Sequence, residues 1–208
     1  VLARQVGAQV AVIDMGIVDD VTEDEVVRVR KVRRGTADLA KGPAMSRDEA
    51  LTAVAVGIEL AAELAAAECD MFATGDMGIG NTTASACLIA HFTGSAAADI
   101  TGRGTGIDDA TLALKTDIVA AAVARLGADA DPIDALAEFG GLEHAGIVGF
   151  ILGAAARNIP VVLDGVIAGS AALVAQALAA DATERCIAGH RSVEPGHTAA
   201  LAKLDLRP

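Results

Sequence analysis

Four short runs along the chain are continuously apolar, and each ends in a small or polar loop: AQVAVIDMG from Ala8, CDMFATGD from Cys69, IPVVLDG from Ile159 and RCIAGH from Arg185. Unbroken apolar runs, rather than alternation of apolar and polar positions, fit strands covered on both faces, as in a parallel sheet. Among them lie longer segments with Ala, Leu and Val at helical spacing: Asp48 to Glu68, Thr82 to His91, Ala110 to Leu126, Glu143 to Asn158 and Ile167 to Ala180. Strand alternating with helix predicts crossover connections and an α/β fold, Rossmann-like, with a doubly wound, mainly parallel sheet flanked by helices. Ser46 with Glu49 three residues later has capping-box spacing, so the first long helix is expected to begin there. Gly127, in GADADP after Leu126, is placed to cap the helix before it. The basic run RVRKVRRG, Arg28 to Gly35, reads as a solvated loop face, and Pro195-Gly196 reads as a turn. Without an internal repeat or a low-complexity linker, residues 1–208 read as one domain.

Composition narrows the class of partner. A formal net charge of −12 repels nucleic acid and anionic membrane, because binding a polyanion needs a concentrated basic face. The longest apolar stretches, Ala145 to Ala156 and Gly165 to Ala180, are shorter than the roughly 20 residues of a membrane span and weakly hydrophobic, so they are expected to be buried helices. Neither nucleic acid nor membrane is expected as a partner, which leaves a small molecule. Cys69, Cys87 and Cys186 are far apart, odd in number and without a C-x-x-C pair, and read as unreactive core thiols. No signal peptide precedes the first strand-like run, so the expectation is a reducing cytoplasm. No Trp, no Tyr and four Phe imply an aliphatic core and few rings on which to stack a heterocycle.

In an open parallel sheet, ligands gather outside the carboxyl ends of the strands, where loop amides and helix N-termini converge. The four runs would carry Asp14, Asp76, Asp164 and His190 to that edge, although each acid alone also suits a cap or a turn. ATGDMGIGNTT, residues 73 to 83, has P-loop spacing from Gly75 to Gly80, but Asn81 and Thr82 stand where Lys and Ser/Thr are required. Gly75, Gly78 and Gly80 let the backbone approach an anion, and Asn81 and Thr82 open a helix whose first amides favour a phosphate. Lacking the P-loop lysine, this loop fits a monophosphate better than ATP. TGRGTGIDD, Thr101 to Asp109, is a second glycine cluster ahead of a helix, with Gly102, Gly104 and Thr105 around one cation, Arg103. Its spacing departs from the dinucleotide fingerprint, so it supports NAD poorly. Together the clusters read either as two structural turns or as a site for a phosphorylated ribose. GHRSVEPGH, Gly189 to His197, offers two histidines but no third ligand at a recognisable spacing, so no metal is expected.

At these loops the chain resembles the nicotinate-nucleotide:dimethylbenzimidazole phosphoribosyltransferase family of cobalamin lower-ligand synthesis. The resemblance is carried by GDMGIGNTT, TGRGTGIDD with Lys115 on the next helix, GGLEHAGIVGFILGAA, VVLDG, HRSVEPGH and RKVRRGTADLAKGPAMSRDEAL, and covers essentially the whole sequence. It implies transfer of 5-phosphoribose from nicotinate mononucleotide to 5,6-dimethylbenzimidazole, giving α-ribazole 5′-phosphate and nicotinate with inversion at the anomeric carbon and no cofactor. It also implies a Rossmann-like large domain, a small helical domain made from the chain termini, and a homodimer whose partner contributes to the site. On matching positions, Asp76 stands where the family usually has Glu, one methylene longer, and Lys115 matches the family lysine; both are implied to be catalytic. Met77 lies within the first glycine loop, and Asp164 and Ser192 match loop positions near the bound nucleotide.

The family's proton-removing glutamate lies in an R-L-G-E-G-type motif, which does not occur in these residues. On that pattern the chain is expected to be a nucleotide-binding core with the small helical domain largely missing and turnover impaired. A non-catalytic mononucleotide-binding or assembly module is the competing expectation, and an NAD- or ATP-dependent enzyme with degenerate glycine loops a third.

Overall fold

A computed structural model describes residues 2–208. The chain runs α1 (Leu2–Gln5), β1 (Val12–Asp14), β2 (Val27–Val29), α2 (Arg47–Ala66), β3 (Phe72–Ala73), α3 (Asn81–Thr93), α4 (Ala97–Ile100), α5 (Asp109–Val123), α6 (Pro132–Phe139), α7 (Leu142–Ala155), β4 (Val161–Leu163), α8 (Val166–Leu178), β5 (Cys186–Ala188) and α9 (Pro195–Lys203). Parallel strands between helices are the architecture that the periodicity predicts. All four expected strands form, and every pairing is parallel. They divide between two sheets, however: β3, β4 and β5 lie side by side in that order, whereas β1 pairs with β2.

Strand β2 lies at the head of the basic run expected to be a loop. Val27 and Val29 supply the β-branched residues a strand favours, and they align with Val12 and Asp14 of β1. The cations around it are paired rather than free: Arg28 lies 3.0 Å from Glu63, Lys31 3.0 Å from Asp14 and Arg33 3.1 Å from Glu49. This basic run therefore fastens the β1–β2 unit to its own loop and to α2.

Helix α2 begins where the sequence placed it, with the Glu49 amide donating to Ser46 Oγ at 3.2 Å and the Ser46 amide donating to the Glu49 carboxylate at 2.8 Å. Helix α5 closes at Ala124, before Gly127, so that glycine does not cap it. Two helices were hidden by proline. Asp131 caps α6 by accepting from the Ile133 amide at 2.9 Å, with Pro132 in the first turn, and Pro195 opens α9 in the same way. A proline there removes an N–H that has no helical partner anyway, so Pro195-Gly196 starts a helix rather than making a turn.

The tightest packing is between α2 and α7, where glycines bring the backbones together. A Cβ on Gly57 would lie 2.0 Å from the Gly146 carbonyl oxygen, and one on Gly149 would lie 1.9 Å from that of Val54. Leu88, Leu136, Phe139, Ile151 and Leu163 are fully buried nearby, and Phe72 meets Phe150 with ring centroids 4.9 Å apart. Cys87 and Cys186 are buried, and burial pushes their thiols up to about 12 and about 11, consistent with inert core positions; Cys69 is half-buried. Among the described residues no helix is long and apolar enough to cross a membrane.

Candidate functional site

Three loops and the start of one helix meet at the carboxyl ends of β3, β4 and β5. The first loop leaves β3 at Thr74, whose amide donates to the Val162 carbonyl at 2.9 Å while its hydroxyl accepts from the Asp164 amide at 3.3 Å. That ties the tips of β3 and β4 together. The chain then passes Gly75 and Gly78 to Gly80, whose φ of +81° lets α3 start abruptly at Asn81. No side chain caps α3, so its first amides face the loop side, where an anion is favoured. Asn81 Nδ2 donates to Asp76 Oδ2, folding the loop's acid back onto the helix start. Met77 and Ile79, in contrast, project fully into solvent.

The second glycine loop lies against the first. A Cβ on Gly104, whose φ is +56°, would lie 3.2 Å from Thr82 Oγ1 and 4.0 Å from Lys115 Nζ. Lys115 reaches up from α5 and joins the loops, donating to Thr82 Oγ1 and to the Gly102 carbonyl, both at 2.8 Å. Only 8% of this lysine is exposed, and burial holds its ammonium below the ordinary value of 10.5. Arg103, the cation expected to serve this loop, is exposed and turned to Asp109 and, at 2.8 Å, to the Ile107 carbonyl. Thr105 lies exposed in the turn that follows. Lys115 is thus the cation that joins the second glycine loop to the helix start following the first.

The loop after β5 closes the third side. His190 Nδ1 is 3.7 Å from Asp164 Oδ1, and His190 and Ser192 lie against Gly165 at the tip of β4. The Ser192 amide donates to His197 Nδ1 at 2.9 Å, which places the proton of the neutral ring on Nε2. His197 is fully buried, and burial pushes its pKa down. Glu194, next along, extends to the second glycine loop and accepts from the Gly104 amide at 2.8 Å.

A fourth component comes from the N-terminus of α7. His144, completely buried, lies with Nε2 2.8 Å from Ser85 Oγ, and its Nδ1 faces both the Gly141 amide at 3.2 Å and Glu143 Oε1 at 3.0 Å. Burial pushes the Glu143 carboxyl up, but contact with His144 and a backbone N–H together outweigh this and hold the group below its ordinary value of 4.5. Asp76 feels the negative charge of Glu143 and Asp164. Burial first, and those charges next, raise its pKa above 3.8 against the opposing pull of His144 and Asn81. Two neighbouring carboxyls are thus driven in opposite directions, Glu143 toward the anion and Asp76 toward holding its proton.

Of the four groups expected at one sheet edge, Asp76, Asp164 and His190 converge and Asp14 does not. Asp14 ends β1 in the other sheet, where its Oδ1 accepts from the amides of Gly16 and Ile17 at 3.0 and 2.8 Å. Burial opposes its ionisation, yet the Ile17 amide and Lys31 hold its pKa below 3.8. Its role is to close a turn. The sequence did not single out Ser85, Glu143, His144 or Glu194 as site groups. Glu143 and His144 sit in a glycine-rich helix start that carried a visible signal, whereas Ser85 is an unremarkable helix position until α3 and α7 are packed together. Among the described residues no cluster of His, Cys, Asp or Glu could hold a metal ion.

Fold and site together define an α/β protein whose loops gather at the carboxyl ends of parallel strands, bringing together backbone amides, one buried lysine and a set of carboxyls. Over residues 1–208 the chain matches a family described as phosphoribosyltransferase. It is 52% identical over 209 residues to the nicotinate-nucleotide–dimethylbenzimidazole phosphoribosyltransferase of Chloroflexus aggregans, taking in 100% of this chain and 59% of that one. It is 51% identical to the enzyme of that name from Geobacter metallireducens, again with 100% and 59% covered. Among solved structures, CobT from Thermus thermophilus superposes with a TM-score of 0.96 at 41% identity, over 99% of this chain and 62% of that one. The chain belongs to the nicotinate-nucleotide–dimethylbenzimidazole phosphoribosyltransferase family, and it spans about 60% of the length of the curated relatives it matches.

Proposed function

We propose that these residues form the ribosyl-phosphate part of a site that moves 5-phosphoribose from nicotinate mononucleotide to 5,6-dimethylbenzimidazole, giving α-ribazole 5′-phosphate, in a cytoplasmic homodimer. The observation that carries this reading is Lys115, buried and bonded at 2.8 Å both to the second glycine loop and to Thr82 in the first turn of α3, just past the first loop. A buried cation between amide-lined loops matches a single phosphate, for which no P-loop lysine is needed. The names of the relatives supply the reaction. Residues Gly75, Gly78, Gly80, Asn81 and Thr82 offer the first amides, Gly102 and Gly104 the second set, and Asp164 and Ser192 the rim by the sugar.

Departure of nicotinate leaves positive charge on the ribose ring at the anomeric carbon. A carboxylate kept ionised nearby stabilises that charge without reorganising. Glu143, whose carboxyl is held below its ordinary value, is suited to this task. Asp76, which keeps its proton more readily, is suited to hydrogen bonding with a sugar hydroxyl, and its bond to Asn81 fixes its direction. Holding the phosphate and the ring at once orients the anomeric carbon for attack from the opposite face, the arrangement that inversion requires.

The test is calorimetric titration of the folded chain with nicotinate mononucleotide. Saturable heat at micromolar to millimolar ligand supports the assignment. Absence of heat at several millimolar, with an unchanged circular dichroism spectrum, refutes it.

A further inference from the structure

The second glycine loop already holds a negative charge. Glu194, at the end of the loop after β5, accepts from the Gly104 amide at 2.8 Å through Oε1. Its other oxygen lies where a side chain at position 102 would be: a Cβ on Gly102 would come within 2.1 Å of Oε2, 2.6 Å of Cδ and 2.8 Å of Oε1. The seat therefore exists because residue 102 is glycine. No ion pair among the described residues includes Glu194, so a backbone amide, with Lys115 behind it, is what this carboxylate faces. That lysine feels Glu194 as the leading favourable influence on its charge. The reach is set from behind, since the Glu194 amide donates to Ser192 Oγ at 3.2 Å and the Ser192 amide to the buried His197 at 2.9 Å.

A carboxylate on a glycine-loop amide beside a lysine presents to that loop what a phosphate oxygen would present. From this we infer that Glu194 is an affinity-setting residue of the site: its carboxylate occupies the Gly102–Gly104 hollow as an internal anion, and a ligand phosphate must displace it to bind there. This rests on the proposed phosphate site and goes beyond it by naming the residue that opposes occupancy. Displacement puts two anions near one hollow, so Glu194 weakens phosphate binding and speeds product departure by reclaiming the amide. A neutral isostere keeps the acceptor for Gly104 and removes only the charge.

Inorganic phosphate and nicotinate mononucleotide are the probes, titrated calorimetrically into the 208-residue chain and its Glu194→Gln and Glu194→Ala variants, with the Gly104 amide followed by ¹⁵N NMR. The expected result is that phosphate moves the Gly104 resonance in the parent chain and that Glu194→Gln binds phosphate about tenfold more tightly, about 1.4 kcal/mol, at unchanged melting temperature. Glu194→Ala should also bind more tightly than the parent. Equal or weaker phosphate binding by a folded Glu194→Gln protein overturns the inference, as does a Gly104 amide indifferent to phosphate. The two claims separate cleanly. Nucleotide binding with identical affinity in parent and Glu194→Gln keeps the proposed function and removes this inference. Tighter phosphate binding by Glu194→Gln, with no nucleotide binding by either protein, does the reverse.

Discussion

Replacing Lys115 with methionine separates anion binding from stability, because the ammonium contributes to the two with opposite signs. Its folded pKa is lowered by burial, so between that value and the unfolded one the unfolded chain binds more protons. Stability therefore rises with pH through that window, and below it the buried charge is a standing cost. Methionine removes that cost and fills similar volume, but leaves the Gly102 carbonyl without the donor now at 2.8 Å, an offset of about 1–3 kcal/mol. These opposing effects leave the variant within about 2 kcal/mol of the parent. Binding is different. A phosphate oxygen on the Gly104 amide would sit about 5 Å from Nζ, where unit charges attract by about 3 kcal/mol at an effective dielectric of roughly 20. Halving this for water at the open mouth leaves about 1.5 kcal/mol, roughly a tenfold loss of affinity for nicotinate mononucleotide. Thermal unfolding and calorimetric titration of parent and Lys115→Met, both at about pH 7.5, where the ammonium is charged in the unfolded chain, read the two quantities. A variant that binds the nucleotide as well as the parent does would refute the placement of Lys115 at the phosphate. Collapse of the fold would refute the claim that its role is chiefly electrostatic.

Two further outcomes follow from the packing and the carboxyl pair. Gly149→Ala places a methyl 1.9 Å from the Val54 carbonyl oxygen, and because backbone cannot swing aside the helices must part. A loss of about 1–3 kcal/mol is expected, seen as a lower urea midpoint at unchanged slope. Asp76→Asn tests the raised pKa of Asp76. With the folded value above 3.8, the folded chain binds more protons in the window above 3.8, so stability falls as pH rises through it and the penalty persists at neutral pH. Asparagine removes the penalty while still accepting from Asn81, so its melting temperature should exceed the parent's at neutral pH and converge with it below pH 3.8. A lower melting temperature at neutral pH would contradict this.

The parts of this molecule that local chemistry determines could be read from the sequence. Ser46 and Glu49 lie within one turn of each other, and their reciprocal bonds form wherever that helix starts. The glycine loops 75–80 and 102–106 announce themselves by composition, and Lys115 links the second to Thr82, two residues past the first. Sheet membership was not legible, because the partner of β1 depends on where the intervening loop returns, and Val27–Val29 sat inside a run dominated by charge. Helices α6 and α9 were obscured by prolines that mark a first turn as readily as a break. The Ser85–His144 contact joins residues 59 positions apart and exists only once α3 and α7 pack. Arg103 was the obvious cation in its loop, yet an acid six residues on claims it, and the deeper lysine does the joining.

The glycine seam between α2 and α7 bears on how this chain can change over generations. At Gly57 and Gly149 each helix is recessed to admit the main chain of the other, so an enlarged residue on one side has no rotamer by which to escape. Substitutions there must arrive as matched pairs across the seam or as a shift of the whole helix. Since Glu143 and His144 lie in the first turn of α7, such a shift would be felt at the site. Drift in α2, which contributes no group to the site, is thereby coupled to it, and the seam should be among the slowest-changing surfaces of the protein.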